Sequence, residues 1–297
     1  MKLLVTGGTG LIGSRFIQTF PQHQYTVLSR SPERAKTRLP NSTKVIGGLS
    51  DIDNLDSFGG VINLAGEPIV DKRWTDKQKH IICESRWDIT RQLVDKFRLS
   101  SNPPAFFVSG SAIGVYSDHG DAIITEQSTS TQADFATSVC ERWESIAKEA
   151  EPYTRVVLLR TGIVLDAKGG ALAKMLPPFK LCLGGRIGDG RQYMSWIHIN
   201  DMVSAIEFLI NNQHCSGPFN MVATEPVPNQ QFTKALASAL NRIAVLPVPK
   251  FALKLLLGES SELLLGSQRV KPDKLLSSGF QFKFPSLNAA LGDLFND

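Results

Sequence analysis

The sequence predicts an α/β fold, in which a doubly wound parallel sheet with helices on both faces is followed by a smaller C-terminal lobe. Up to about residue 160, short β-branched runs alternate with longer amphipathic stretches, as strands and crossover helices do. A glycine-rich segment joins the first strand to the first helix, and beyond Arg160 the chain becomes rich in glycine and proline. We therefore expect a sheet domain over residues 1–165, to which a segment of about 190–225 returns, and a lobe mainly over 166–297.

Each element has its own signal in the chain. Strands are predicted at residues 2–6, 25–28, 43–46, 61–64, 105–109 and 155–160, and helices at 11–19, 32–38, 76–97, 134–149, 200–210, 229–240 and 251–257. The third helix is the best marked, because Thr75 and Gln78 form a capping box at its start. It ends before Pro103-Pro104, where a helix cannot continue.

Composition and charge exclude several classes of protein. The 297 residues carry a net charge of +4 without any block of five like charges, which gives nucleic-acid binding little support. An anionic small molecule would explain the excess equally well. The four cysteines lie far apart and form neither a metal-ligand pattern nor a disulfide framework, so we expect no metal.

The same chain gives no signal for a membrane. Its first strand begins at residue 2, which leaves no room for a signal peptide, and no apolar run approaches the length of a transmembrane helix. We therefore expect a cytoplasmic protein without a membrane partner. The oligomeric state is left open.

The start of the chain has the pattern of a phosphate-binding loop. An apolar strand leads into a helix through Thr6-Gly7-Gly8-Thr9-Gly10-Leu11-Ile12-Gly13. Gly8, Gly10 and Gly13 fit the pattern G-x-G-x-x-G, and Gly7, Gly10 and Gly13 fit the related G-x-x-G-x-x-G. Glycines let a pyrophosphate approach the backbone amides at the positive end of the helix. The sequence therefore predicts a Rossmann-type dinucleotide site made of these eight residues.

The end of the second predicted strand indicates which dinucleotide is bound. An enzyme that uses NAD has Asp or Glu about 20 residues past the glycines, where it binds the ribose hydroxyls. This chain has Arg30 twenty residues past Gly10, between Ser29 and Ser31. The planar guanidinium suits the 2′-phosphate of NADP. We therefore predict NADP as the cofactor, with Ser29, Arg30 and Arg34 among its ligands.

Further motifs extend along almost the whole chain. They are Thr6-Gly7-x-x-Gly10-x-x-Gly13, Asn63-Leu64-Ala65-Gly66, Ser109-Gly110-Ser111 with Tyr116, Leu159-Arg160-Thr161-Gly162, Trp196-Ile197-His198 with Asp201, and Gly217-Pro218-Phe219-Asn220. In these motifs the chain resembles the extended short-chain dehydrogenase/reductases, which include sugar-nucleotide epimerases and dehydratases. Arg73-Trp74-Thr75 and Cys140-x-x-Trp143-Glu144 resemble an atypical "epimerase family protein" subgroup, whose reaction is not established. The resemblance implies that Leu64, Ala65, Gly66 and Arg160 also border the cofactor.

The chain departs from that family at the usual catalytic pair, a tyrosine followed four residues later by a lysine. The residues four places after Tyr25, Tyr116, Tyr153 and Tyr193 are Ser29, Gly120, Val157 and Ile197. Counting back from Glu144, the pair should fall near Ala136 and Cys140. An arginine that grips the diphosphate of sugar nucleotides is also missing, since Met194 lies in that stretch.

Other candidate catalytic residues remain. The resemblance implies that Ser111, or alternatively Ser109, holds a hydroxyl against a substrate carbonyl, although a serine at a strand end also serves in turns and caps. Arg86 takes the place of an asparagine of the family. It could bridge the cofactor and the backbone, bind an acidic substrate, or be a solvated charge on a helix.

Two functions fit these residues. The first is an NADP-dependent oxidoreductase or epimerase-like enzyme acting on an unknown small molecule, in which Ser111 polarises a carbonyl and Arg86 or an ordered water supplies the proton. The second is a non-catalytic NADP(H) sensor or regulator. The missing tyrosine and lysine favour the sensor, whereas the intact loop, the serines and the C-terminal lobe favour the enzyme. We expect an enzyme.

Overall fold

A seven-stranded parallel sheet in the order β11-β7-β5-β4-β1-β2-β3 forms the centre of the computed structural model, which describes residues 1–295. The strands are β1 (Lys2–Thr6), β2 (Gln24–Leu28), β3 (Lys44–Ile46), β4 (Gly60–Asn63), β5 (Phe106–Ala112), β6 (Ile123–Ile124), β7 (Arg155–Thr161), β8 (Ile163–Leu165), β9 (Tyr193–Met194), β10 (Trp196–His198), β11 (Gly217–Met221), β12 (Val227–Pro228) and β13 (Arg269–Val270). Every pairing in the sheet is parallel, from β1 beside β2 to β11 beside β7. The carboxyl ends of the strands therefore share one edge, where ligands of such sheets bind.

Helices cover both faces of the sheet, as doubly wound folds require. The helices are α1 (Leu11–Thr19), α2 (Pro32–Lys36), α3 (Asp76–Arg98), α4 (Phe135–Lys148), α5 (Gly170–Lys180), α6 (Ile199–Asn211), α7 (Asn229–Ala239), α8 (Lys250–Leu257), α9 (Glu262–Leu265), α10 (Asp273–Ser277) and α11 (Leu287–Phe295). On one face α1 and α6 bury Phe16 and Ile206 against the strands. On the other face α3 and α4 bury Phe97 and Ile146. The predicted fold class is confirmed.

The predicted elements are found close to their expected positions, but others are absent from the prediction: helices α5, α9, α10 and α11, strand β6 and every strand after β7. Helix α1 has the predicted bounds, and α3 begins where Thr75 accepts a hydrogen bond from the Gln78 amide at 3.2 Å. Helix α5 is absent from the prediction because Pro177 and Pro178 indicate a break. Both prolines keep their carbonyl groups, which accept hydrogen bonds from the amides of Leu181 and Leu183 at 3.2 and 2.8 Å. The helix loses only the two amide donors that would have reached the carbonyls of Ala173 and Lys174.

A further hydrophobic core lies in the C-terminal half, where α5, α7 and α11 pack around Trp196. Asp201 attaches this core to the sheet, since its carboxylate accepts hydrogen bonds from the amides of Lys283 and Phe284 at 2.9 Å each. The boundary between residues 1–165 and 166–297 stays a prediction. Residues 296–297 of that lobe lie outside the described part of the chain.

Two features are absent from residues 1–295. No helix in this range is long and apolar enough to cross a bilayer. Within the same range, no group of three or more His, Cys, Asp or Glu side chains is arranged to hold a metal ion.

A substitution in the aromatic pair between α3 and the sheet tests how much this packing contributes to the stability of the protein. Phe107 and Phe97 are fully buried with ring centres 5.3 Å apart, so Phe107→Ala should lower the free energy of unfolding by about 3–5 kcal/mol. Leu99→Ala is the matched control: this residue follows the same helix, is 65% exposed and should change the value by less than about 0.5 kcal/mol. Urea titration followed by circular dichroism measures both. Equal losses in the two variants would contradict this packing.

Candidate functional site

The glycine loop is held between the first strand and the turn after β4. Gly7 has a positive φ of +69°, and a Cβ atom there would lie 2.4 Å from the carbonyl oxygen of Leu64. A Cβ atom at Gly13 would lie 2.5 Å from the carbonyl oxygen of Gly7. Larger residues at either position would push the loop away from the sheet. The glycines thus place the N-terminus of α1 at the carboxyl edge, where its free amides attract an anion.

A cleft of about 490 Å³ opens in front of this loop. The residues predicted to bind the cofactor that line it are Thr6, Gly7, Thr9, Gly10, Ser29, Arg30, Arg34, Leu64, Ala65 and Gly66. The predicted residues Gly8, Leu11, Ile12, Gly13 and Arg160 are not among its lining residues. Gly8 packs against Val27, while Leu11 packs against Gly169 and Gly170 of the later chain. The structure therefore brings together ten of the fifteen predicted residues from three separate segments.

Sequence reasoning missed part of the same cleft. Arg38 lines it together with Arg30 and Arg34, as do Ser31 and, from α3, Glu84, Ser85, Asp88, Ile89 and Gln92. Arg34 and Arg38 are four residues apart in the predicted helix 32–38, and this spacing is the signal that could have found Arg38. All three arginines are exposed, and no carboxylate pairs with them among residues 1–295. The nearby Glu33 instead pairs with Lys36 at 2.7 Å.

Buried polar contacts fix the floor of the cleft. Thr6 Oγ1 donates to Asn63 Oδ1 at 2.6 Å, and Asn63 Nδ2 donates to Thr90 Oγ1 at 2.8 Å. Trp143 Nε1 donates to the same Thr90 oxygen at 2.9 Å. The Ala65 amide is 3.3 Å from Thr6 Oγ1. This chain of hydrogen bonds ties β1 and β4 to α3 and α4, so the loop after β4 has a fixed position.

Ser111 and Arg160 lie together in a second buried cluster. Ser111 Oγ donates to Glu144 Oε1 at 2.7 Å, and Arg160 binds both oxygens of that carboxylate at 2.8 Å. A third nitrogen of Arg160 donates to the Tyr116 hydroxyl at 2.9 Å. The guanidinium thus faces Glu144 and Tyr116. The Ser111 proton is also committed, because it points to Glu144.

Neither Tyr116 nor Cys140 is placed to exchange a proton near neutral pH. The Tyr116 hydroxyl donates to Asn220 Oδ1 at 2.6 Å, and burial, only partly offset by Arg160, raises the pKa of Tyr116 to about 12. Burial, together with the charge of Glu144, raises the pKa of the Cys140 thiol to about 12. Both groups stay protonated under physiological conditions.

The other two catalytic candidates are also held by the protein. Ser109 is fully buried, with its hydroxyl 3.5 Å from Asn63 Nδ2. Arg86 donates to the carbonyls of Ile82 and Glu67 at 2.9 Å each, and its guanidinium carbon is 5.4 Å from the centre of the Trp143 ring. Burial lowers the pKa of Arg86. Arg86 is therefore no solvated surface charge: it holds the segment that follows Gly66.

A second cleft, of about 440 Å³, separates the sheet edge from the C-terminal helices. Ala136, the expected place of the family's tyrosine, lines it beside Gly114. The charged lining residues are Asp118, Asp134, Glu262 and Lys254, and further lining residues include Trp74, Gln132, Leu263 and Gln268. With three carboxylates and one ammonium group, the cleft carries a negative balance.

Known proteins are similar to this chain over most of its length. Residues 3–221 match the model of the NAD dependent epimerase/dehydratase family, and residues 248–294 match a domain of unknown function, DUF1731. An epimerase family protein of Staphylococcus aureus (strain MRSA252) is 38% identical over 303 residues, which cover 99% of both chains.

Two solved structures are similar over the whole of this chain. The human epimerase family protein SDR39U1 (isoform 2) with NADPH has a TM-score of 0.92 and 32% identity, with 100% of both chains covered. A nucleoside-diphosphate sugar epimerase from Corynebacterium glutamicum has a TM-score of 0.78 and 30% identity, with 59% of that chain covered. The family expected from the motifs is confirmed: this chain belongs to the NAD-dependent epimerase/dehydratase family.

Proposed function

We propose that this protein is an NADP(H)-dependent oxidoreductase or epimerase-like enzyme that acts on a small molecule. The observation that carries the proposal is the group of Arg30, Arg34 and Arg38, which line one end of the first cleft without a carboxylate partner in residues 1–295. Three cations beside the glycine loop suit a phosphate group. In enzymes that use NAD, this region carries an acidic residue instead. The human relative solved with NADPH supports the same choice of dinucleotide.

The residues of the first cleft fit such a cofactor. The amides around Gly10 at the start of α1 would hold the pyrophosphate, and a side chain at Gly7 or Gly13 would collide with backbone. Ser29 and the three arginines would hold the 2′-phosphate, while Leu64, Ala65 and Gly66 would support the dinucleotide from the side of β4. NADPH supplies a hydride when bound. The chain itself supplies the binding groups and the rigid floor.

The second cleft is the proposed place of the substrate. It borders the expected catalytic position at Ala136, and it lies between the sheet and the helices that follow residue 250. With alanine at 136, the proton must come from another lining group or from water. Ser111 is buried and is not among the residues that line either cleft. It could orient a carbonyl only after its hydroxyl turns away from Glu144, which Arg160 would still hold through two hydrogen bonds.

One observation favours the second function, a non-catalytic NADP(H) sensor. The Ser111 hydroxyl is donated to Glu144, while the Tyr116 and Cys140 pKa values are each raised to about 12. None of the three groups is thus ready to pass a proton. A sensor needs the first cleft and no proton donor, so the two functions differ in turnover and not in cofactor binding.

The arginines should set the choice of cofactor. A charged hydrogen bond to phosphate contributes about 1.5–3 kcal/mol, so NADPH should bind roughly 10- to 150-fold more tightly than NADH. Arg30→Ala should remove most of that difference by weakening NADPH alone. The matched control is Arg142→Ala, which removes an exposed arginine of α4 that does not line the cleft. Fluorescence titration measures the affinities of the unchanged protein and both variants for NADPH and for NADH. Equal affinities for NADPH and NADH in the unchanged protein would refute the assignment.

Turnover should depend on Ser111. Ser111→Ala should lower kcat by about 100-fold, as losing an oriented donor does, with little change in NADPH affinity. The exposed Ser145 of α4 provides the control variant Ser145→Ala, which should leave kcat unchanged. NADPH oxidation across a panel of carbonyl compounds is the assay.

The same assay separates the alternatives. If no compound in the panel is turned over while NADPH still binds, the sensor is supported instead. If Tyr116→Phe abolishes turnover in a folded protein that binds NADPH, Tyr116 is the proton donor and the role given to Ser111 is wrong.

Nucleoside-diphosphate sugars should bind poorly. Met194 lies in the stretch where relatives carry a diphosphate-gripping arginine, and three carboxylates line the second cleft. A missing charge-assisted hydrogen bond costs about 1.5–3 kcal/mol. Calorimetry with UDP-glucose on the NADPH complex should therefore show no micromolar binding; a micromolar Kd would contradict this reading of the cleft.

A further inference from the structure

Exposed apolar side chains concentrate on one part of the surface. Eight of the thirteen large hydrophobic residues that are exposed in residues 1–295 come from three segments that meet there. We call them the α8 surface: Leu181, Leu183, Ile243, Val245, Leu246, Phe251, Leu255 and Leu256. Scattered exposed apolar residues are ordinary, but a cluster of this kind marks a site of interaction.

Helix α8 is the centre of this surface. None of its eight residues is fully buried, and Phe251, Leu255 and Leu256 are 73%, 77% and 70% exposed. Lys250 and Lys254 are one turn apart, so they lie on one side of this apolar face. Leu253 and Leu257 are only half-buried. A short helix gains its stability mainly from packing, and here most of its apolar area is left in water.

The other two segments are fastened to the start of α8. The Val248 amide donates to the Arg186 carbonyl at 2.8 Å, and the Gly188 amide donates to the Val248 carbonyl at 2.9 Å. Arg242 Nε donates to the Lys180 carbonyl at 3.3 Å. These bonds join residues 180–188 to residues 242–248, and Pro249 then caps the start of α8. The three segments that carry the α8 surface are therefore neighbours in space.

Positive charge surrounds these apolar side chains. Residues 180–191 and 241–257 contain six basic residues and one acidic residue, Asp189, so they carry a net charge of +5. The whole chain carries only +4. The nearby Glu259 is already paired with Lys79 at 2.6 Å. The net positive charge of the protein is thus concentrated where its apolar surface is exposed.

Exposed apolar side chains and positive charge together favour one of the possible occupants of the α8 surface. A symmetric contact between two copies would press the same surface against itself and bring two groups of +5 together, which is unfavourable. The centres of specific protein interfaces are enriched in aromatic residues, Met and Arg, whereas the eight side chains of the α8 surface include a single aromatic residue, Phe251. A bilayer with anionic headgroups needs only apolar side chains beside cations.

We propose that the α8 surface binds the surface of an anionic lipid bilayer, with Phe251, Leu255 and Leu256 at the level of the acyl-chain boundary and Lys180 and Lys250 among the headgroups. This proposal differs from the expectation that the protein has no membrane partner. That expectation considered spanning segments, and a helix that lies in the interface needs no span. The proposal does not rest on the function proposed for the two clefts.

Vesicle sedimentation tests the proposal with the full chain. Vesicles of phosphatidylcholine containing 30% phosphatidylglycerol should sediment the protein, whereas pure phosphatidylcholine vesicles should bind at least about tenfold less, since each lysine near an anionic surface contributes about 1 kcal/mol. Raising NaCl from 0.1 to 0.5 M should weaken binding by screening. The double variant Phe251→Gln and Leu255→Gln should lose binding about tenfold or more.

Matched variants separate the α8 surface from general effects. Leu99→Gln and Leu276→Gln replace exposed apolar residues elsewhere and should bind vesicles as the unchanged protein does. Lys180→Glu with Lys250→Glu should abolish binding, whereas Lys77→Glu with Lys148→Glu, which changes the net charge equally, should reduce it far less. NADPH titration confirms that each variant is folded.

Three results would overturn the proposal: no sedimentation with any vesicle, equal binding to neutral and anionic vesicles, or equal loss in the control variants. A fourth result would replace the bilayer with a second copy of the chain. If analytical ultracentrifugation shows that the unchanged protein is a dimer and that the double variant Phe251→Gln, Leu255→Gln is a monomer, the α8 surface is an interface between copies of the chain.

Discussion

The ion pair between Glu144 and Arg160 is the interaction on which the catalytic half of the structure depends. It joins α4 to β7, and it draws in Ser111 of β5 and the Tyr116 hydroxyl. Taking two charges out of water costs several kcal/mol for each ion, and only close bidentate geometry offsets that cost. Any movement of α4 away from the sheet would leave a buried charge without its partner. The side of the second cleft formed by α4 is therefore rigid.

This ion pair also explains why the site departs from the usual chemistry of its family. The expected tyrosine and lysine positions hold Ala136 and Cys140, so the titratable groups of α4 that face the sheet reduce to a protonated thiol and Glu144. Glu144 is neutralised by Arg160, and its second role is to hold Ser111. The cluster maintains the architecture of the site, whereas the first cleft, with its exposed arginines, keeps groups that are free to bind. The chain thus offers more groups for binding a cofactor than for transferring a proton.

Local sequence signals predicted the features that depend on neighbouring residues. They did not predict the features that depend on contacts between distant parts of the chain. The loop from Thr6 to Gly13 was recognisable because strand, glycines and helix follow one another directly, and Arg30 was recognisable from its distance to Gly10. The resemblance implies that Arg160 borders the cofactor; which partner its guanidinium takes depends on where α4 brings Glu144, and no spacing in the sequence encodes that. Helix α5 was missed because Pro177 and Pro178 predict a break, whereas the folded chain tolerates the two amide donors that they remove.

The exposure of α8 also depends on tertiary structure, so local signals in the sequence do not predict it. The segment that begins at Lys250 reads as an amphipathic helix, and its pattern alone would place the leucines in a core. In the structure Leu255 and Leu256 are exposed to water instead. The neighbouring residue Lys254 lines the second cleft. One helix therefore borders both the cleft and the exposed apolar surface. Whatever covers α8 must also lie at the mouth of the second cleft, so the access of a substrate and the occupancy of this surface are physically connected.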